Sequence, residues 1–333
     1  MSGRVLLAHG GGGGLARQLI LDEMLPPLTN PALAPLADAA VVEGAPRMAF
    51  TTDAYVVTPT FFSGGDIGRL AVCGTVNDLA VSGARPLYLS LAAILEEGFP
   101  LADLRRILAS VKQAALEAGV AVVTGDTKVV ERGAADGIFL TSAGVGSLGS
   151  LPAGWGAPEP GDALLVNGNL GDHGFTILAA REGLTFDHPL KSDAAPLNGL
   201  VFALLEAGVR VRLMRDLTRG GLGAALNEWV TGRPWGFAVR EARLPFSPGV
   251  RSLAELLGLD PVFSANEGKL LAIVHPDDAN RALELMQAHP LGREAAVIGR
   301  VTEANPGLVV TETAFGSRRI LDQPAGDPLP RIC

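Results

Sequence analysis

The residues best placed for chemistry are acids in apolar surroundings. Asp53 stands at the end of a strand-like run (FTTDAY), Asp66 sits in SGGDIG, the Asn77–Asp78 pair interrupts an apolar helical pattern, Asp126 belongs to TGDTK, and Asp216 opens RDLTRGG. A buried acid needs a partner or a cation. Hard oxygen ligands drawn from several segments suit magnesium bridging phosphates. Asp66 also reads as a helix N-cap; Asp78 has little comparable use inside a core helix. Three glycine-rich turns precede helical patterns: HGGGGGLARQLI, which includes Gly11 and Gly12, then NGNLGDHG, then DLTRGGLG, which includes Arg219 and Gly220. Bare N–H groups and a helix dipole favour an anion at such turns, while glycine also serves simply to turn the chain tightly. None is a phosphate loop ending in Gly-Lys-Ser/Thr, and none is a convincing dinucleotide fingerprint. A nucleotide would therefore be held by another design, with metal as the bridge.

Lysine is scarce. Lys112, Lys128, Lys191 and Lys269 are the whole set, which leaves 27 − 4 = 23 arginines. A lysine kept where arginine is the norm offers a compact charge near phosphate; Lys128, directly after TGDT, is either that or a solvated side chain, and Lys269 is expected to be a surface lysine. Glu267, in SANEGKL at the entrance to an apolar strand, is a cap or a base. His9, ahead of five glycines, is a weaker site candidate, as readily a solvated histidine. Of the two cysteines, Cys73 lies in RLAVCGTVNDLAVSGA and is expected to be a packed core thiol. Cys333 closes QPAGDPLPRIC. A thiol attacks as the thiolate, and beside its own α-carboxylate this one is poorly placed as an activated nucleophile. It suits a carrier instead, since a tail from Leu321 onward could span up to about 40 Å when extended, or it is an incidental last residue of a disordered tail.

These groups must be positioned by a sizeable core. The 333 residues are 48% hydrophobic and favour two domains over one. A formal charge of −8 gives no field to attract nucleic acid or an anionic membrane, and no apolar run reads as a signal peptide or a membrane helix. A cytosolic protein is expected. Pro152, Gly154, Gly156, Pro158, Pro160 and Gly161 mark a linker over 151–161, between an amino-terminal domain over 1–150 and a carboxy-terminal α/β domain over 162–320, with a tail over 321–333. RMAFTTDAYVV, VAVVTGD and GIFLTSAGVG read as strands. Leu101, Leu104, Ile107, Leu108, Val111 and Ala115 recur at helical spacing until Gly119 stops them. Strand–turn–helix patterns recur in DALLVNGNLGDHGFTILAARE and VRLMRDLTRGGLGAALNEWV, and LLAIVHPDDANRALELMQAH with AAVIGRV adds strand–helix–strand. The fold class is α/β or α+β in both halves.

Taken together, LAHGGGG, GGDIGRLAVCGTVNDLAVSGARP, TGDTKVV, DLTRGGL, NEGKL and PRIC resemble, in order and along the whole chain, the hydrogenase-maturation carbamoyl dehydratases of the HypE family. That family lies within the aminoimidazole ribonucleotide synthetase-like (PurM-like) superfamily. The resemblance implies a two-domain PurM-like fold that dimerises through its amino-terminal domains. It further implies that a HypF-like carbamoyltransferase loads a carbamoyl group onto Cys333. ATP then phosphorylates the amide oxygen, and loss of phosphate leaves a thiocyanate, the cyanide source for a [NiFe]-hydrogenase iron received through a HypC–HypD-like scaffold. By the same resemblance Asp53, Asp78 and Asp216 hold Mg2+. Gly11, Gly12, Asp66, Asn77, Asp126, Thr127, Arg219 and Gly220 shape the ATP site. Lys128 and Glu267 stand beside the thiocarboxamide, Glu267 the base and Lys128 the charge stabiliser, with the roles exchangeable. The rival readings are a non-catalytic thiol carrier whose ATP site is structural, and another ATP-using PurM-like enzyme.

Overall fold

The structure, a computed structural model, describes residues 3–11, 14–36, 39–149, 155–184, 188–313 and 315–322. The chain divides into two compact units, one formed by residues 1–80 and 84–151 and the other by 81–83 and 152–332.

In the first unit, strands β1 (Met48–Tyr55), β2 (Arg85–Glu96), β3 (Ala121–Val130) and β4 (Ile138–Ser147) form a sheet of order β1-β4-β2-β3. Helix α1 (Ile67–Val81) is buried nearly all round, as its sequence of Ala, Val, Leu and Gly requires. Helix α2 (Leu101–Ala118) is amphipathic: the residues at helical spacing are its buried ones, and Gly119 ends it at φ +69°, a conformation that glycine takes without steric cost. It connects β2 to the parallel strand β3, a crossover that puts the helix on the sheet. One sheet face packs on the helices through alternate residues such as Leu89, Leu91, Ala93 and Leu95. The alternation gives the other face Phe50, Tyr88, Ala92 and Ile94, of which Phe50 is 72% and Ile94 37% exposed. A helical segment over 14–28 is fixed to α2 by Arg105, whose Nε and Nη2 donate to the Glu23 carboxylate at 2.5 and 2.7 Å.

In the second unit, β5 (Ala163–Val166), α3 (Asp172–Arg181), α4 (Asn198–Glu206), β6 (Val211–Asp216), α5 (Gly221–Val230), β7 (Gly236–Arg240), α6 (Pro248–Leu257), β8 (Leu270–Val274), α7 (Ala279–Ala288), β9 (Ala296–Thr302), β10 (Val309–Glu312) and β11 (Arg318–Ile320) follow in order. The sheet order is β11-β10-β7-β9-β5-β8-β6, antiparallel except for β10 with β7. Its central strands β5 and β8 are buried throughout, so they read as unbroken apolar runs. Leu222, Leu226 and Val230 of α5 pack with Leu164, Phe237, Leu271 and Ile273 into the core.

Candidate functional site

In the first unit the sequence-predicted acids fall in two places. Asp53 on β1 lies with Asp66 and Asp78 of the α1 side, whereas Asp126 stands on β3, at the opposite edge of the sheet and, by its register with Ala92, on the other face from Asp53. Thr51 Oγ1 donates to Asp78 Oδ2 at 2.8 Å, and four residues along the same strand face the Tyr55 hydroxyl meets Thr75 of α1 at 3.2 Å. Asp53 lies between these two on the same face, so strand alternation aims it to the side that carries Asp78. It is exposed, and its Oδ1 accepts from the Ala54 N–H at 2.8 Å. Asn77 is 1% exposed. Asp66 performs the N-cap role its position suggests, its Oδ1 accepting from the Arg69 N–H at 3.0 Å. Burial raises its pKa against that bond and the Ser110 hydroxyl.

On β3, Lys128 Nζ lies 2.8 Å from Asp126 Oδ2, both side chains 64% exposed. That ammonium, helped by the Thr127 N–H, holds Asp126 below the usual carboxylate range. Gly10 lies against Val129 of the same strand, with Gly11 the next residue. Gly12 lies outside the described residues, as does Cys333. His9 is not solvated: it is 3% exposed, and its Nδ1 accepts from the Leu6 N–H at 3.1 Å, which closes a short 3₁₀ turn. A cavity of about 370 Å³ opens between segment 14–28 and β3, with Ile20, Leu21, Leu25, Thr124, Asp126 and Thr127 in its wall.

The second unit centres on Glu267, 5% exposed in the turn before β8. That turn is held by side chains. Asn266 Oδ1 accepts from the Gly171 N–H at 2.7 Å, and its Nδ2 donates to Leu217 O and Ser264 O. Asn167 accepts from the Leu270 N–H at 2.8 Å and donates to Gly268 O. Asp193 accepts from the Glu267 and Gly268 N–H groups, both at 3.1 Å, and from Lys269 Nζ at 2.9 Å. Lys269 is therefore not the surface lysine expected from sequence; its side chain is 11% exposed and faces an acid 4% exposed. Burial would raise the Asp193 pKa, but the adjoining ammonium prevails and holds it below the usual range. Asp216 ends β6 at 9% exposure; Arg219 and Gly220 form the turn into α5, where Gly220 has φ +78°.

The sequence reading did not single out Asp172, His173 or Asp193. Asp172 opens α3 with its carboxylate accepting from Ser247 Oγ at 2.8 Å, and burial pushes its pKa up to about 6. His173, fully buried with Nδ1 2.8 Å from Ser192 Oγ, is held neutral by desolvation, its pKa down to about 4. The signal available was GDHG itself, two ionisable residues heading an otherwise apolar helix. Its glycine turn, offered as a phosphate cradle, has the Gly171 N–H already committed to Asn266.

Two family models match the chain: AIR synthase related protein, N-terminal domain, over residues 36–148, and AIR synthase related protein, C-terminal domain, over 159–311. The carbamoyl dehydratase HypE of Rhodobacter capsulatus is 51% identical, the match covering 99% of this chain and 98% of the relative. That of Escherichia coli K12 is 47% identical, covering 99% of each. This chain belongs to the HypE family of carbamoyl dehydratases. A solved HypE in complex with ATP superposes with a TM-score of 0.93 at 46% identity, covering 98% of this chain and 99% of that one. A HypE from a HypE–HypF complex gives 0.80 at 43% identity, covering 94% and 100%. A thiamine-monophosphate kinase of Stenotrophomonas maltophilia, 21% identical with a TM-score of 0.65, shares the fold alone. HypE membership accounts for both units and for the α/β architecture read from sequence. Among the described residues no helix is long and apolar enough to cross a membrane.

Proposed function

We infer that this chain is an ATP-dependent carbamoyl dehydratase that converts an S-carboxamide on Cys333 to an S-cyanide, the precursor of the cyanide ligand on a [NiFe]-hydrogenase iron. The observation that carries the reading is a full-length likeness to carbamoyl dehydratases at about half identity. The reaction removes both hydrogens from the amide nitrogen while the carbonyl oxygen departs as phosphate. A poor leaving group is thereby replaced by a good one, with ATP supplying the phosphoryl group. Glu267 is the proton acceptor: it is a carboxylate in a dry turn whose main chain is fixed on both sides, the preorganisation a general base requires. Lys128 is the cation that offsets charge on the transferring group. The Asp126 carboxylate is its partner on the exposed surface of β3, one that an anion can replace.

ATP would be held in the first unit by Gly11, Asp53, Asp66, Asn77, Asp78, Asp126 and Thr127. The cavity beside Thr127, apolar along segment 14–28 and polar at its β3 rim, suits a heteroaromatic base. Asp216, Arg219 and Gly220 are the candidates of the second unit. Among the described residues no three His, Cys, Asp or Glu side chains gather as a metal cage. Magnesium needs none, because it binds through one or two carboxylates, phosphate oxygens and water. Asp53 of β1 and Asp78 of α1, on the same side of that strand, fit that requirement in the first unit, and Asp216 is the second unit's candidate. The open sheet face with Phe50 and Ile94 supports a homodimer through the first unit. A HypF-like carbamoyltransferase would load the thiol, and a HypC–HypD-like scaffold would receive the cyanide.

The test is the intact mass of the carbamoylated protein with and without Mg-ATP. Loss of one water from the Cys333 peptide only with Mg-ATP is the expected result, and Glu267→Gln should bind ATP yet keep its water. An adduct that never loses water leaves a carrier.

A further inference from the structure

We propose that Asp193 is a positioning residue for the dehydration, gripping the Glu267–Lys269 turn by its main chain and so fixing where the Glu267 side chain leaves it. The inference rests on the dehydratase reading above. A pair serving stability alone would need only the Lys269 ammonium. Here two of the three donors on the Asp193 carboxylate are the consecutive N–H groups of Glu267 and Gly268. Asp193 is itself anchored. Its neighbour Ser192 bonds His173 of α3 at 2.8 Å and accepts from the Ala194 N–H, and Ala195 N–H donates back to Glu267 O at 3.3 Å. The turn and the irregular 192–195 segment therefore hold each other from both sides.

Gly268 completes the fit. A Cβ there would sit 2.0 Å from the Asp193 carbonyl oxygen, so only glycine lets the two segments approach closely enough for both N–H bonds. Lys269, on Asp193 Oδ2 at 2.9 Å, keeps the buried carboxylate ionised and so a strong acceptor. A protonated or amide side chain at 193 would weaken or reverse the grip, since an amide nitrogen meets the Gly268 N–H and the ammonium as a third donor.

The experiment is single-turnover loss of water from the carbamoylated protein, followed by mass at varied Mg-ATP. Asp193→Asn should slow dehydration about 10- to 100-fold, the cost of displacing a catalytic group by a fraction of an ångström. Half-saturation by ATP should move less than about twofold, because an interaction felt only in the chemical step lowers the rate and spares binding. Asp193→Asn combined with Lys269→Met, which removes both charges, should recover thermal stability but not rate. Lys269→Arg alone, which keeps a cation on the carboxylate and leaves both main-chain donors their acceptor, should lose less rate than Asp193→Asn. Rate that returns together with stability in the double variant, or Asp193→Asn at the wild-type rate, overturns the proposal. Should Asp193→Asn not fold, a folded Lys269→Arg that loses all activity overturns it equally. A wild-type protein that keeps its water with Mg-ATP sinks the dehydratase reading instead, a distinct outcome.

Discussion

Replacing Asp172 by asparagine should make the protein more stable at neutral pH. The carboxyl is half-buried at the start of α3. Desolvation raises its pKa from an ordinary 3.8 to about 6, while the Ser247 hydroxyl and the Lys269 ammonium pull the other way and the charge of Asp193 adds to the rise. A carboxyl with a raised folded pKa binds more protons folded than unfolded. Its charge therefore costs nothing well below pH 4, costs progressively more between pH 4 and 6, and reaches its full cost above pH 6. At about 1.4 kcal/mol per pH unit, the interval from 3.8 to 6 amounts to about 3 kcal/mol, and the partial exposure of the group reduces this to about 2 kcal/mol.

Asparagine retains an acceptor for Ser247 and carries no charge. At pH 8 the variant should gain about 2 kcal/mol, or about 4–8 °C in Tm for a unit of this size; at pH 4 the gain should fall below about 0.5 kcal/mol. Trp155, Trp229 and Trp235 all lie in the second unit, so tryptophan fluorescence in urea follows that unit. A difference between variant and wild type that is the same at both pH values, or a loss at pH 8, refutes the reasoning.

Two further substitutions test how the segments around the sites are held. Gly268→Ala drives a Cβ into main chain rather than into a flexible side chain; it should lower the stability of the second unit by about 1–3 kcal/mol and slow dehydration along with it, read by the same fluorescence and mass assays. Glu23→Ala removes the 4%-exposed carboxylate that anchors segment 14–28 to Arg105, a side chain 60% exposed that water can take over. Amide exchange should quicken across 14–28 and stay unchanged in α2, and quickening in α2 as well would count against a local anchor.

Most of the architecture was legible because periodicity is local. The α2 stripe and its Gly119 stop lie within one window of residues, and β5 and β8 betray their central place by lacking any polar alternation. Asp66 was legible for the same reason, since its capping partner Arg69 is three residues away. The readings that failed involve contacts of another kind. His9 looked solvated because nothing in LAHGGGG reveals that Gly10 packs on Val129 of β3. Lys269 looked like a surface lysine because Asp193, 76 residues earlier, sits in KSDAAP, a run without helix or strand pattern. One clue was available: Lys269 enters a strand whose five residues are all apolar, and a lysine leading into a buried strand needs an acid.

A glycine-rich turn binds an anion only if its N–H groups remain unspent, and spending is a long-range matter: Gly171 gives its N–H to Asn266, 95 residues on. Sequence nominates such turns without showing which donors are already committed. The same asymmetry explains why Glu267 could be read as a cap or a base. The groups that immobilise its turn, Asp193, Asn167 and Asn266, include two that lie at least 74 residues away. Two of those three are asparagine, a residue that can donate and accept at once and so stitch irregular chain. In this chain, an asparagine just outside an apolar strand therefore points to a rigid, buried turn where the glycine pattern does not. Asn167 after β5 and Asn266 before β8 meet that description.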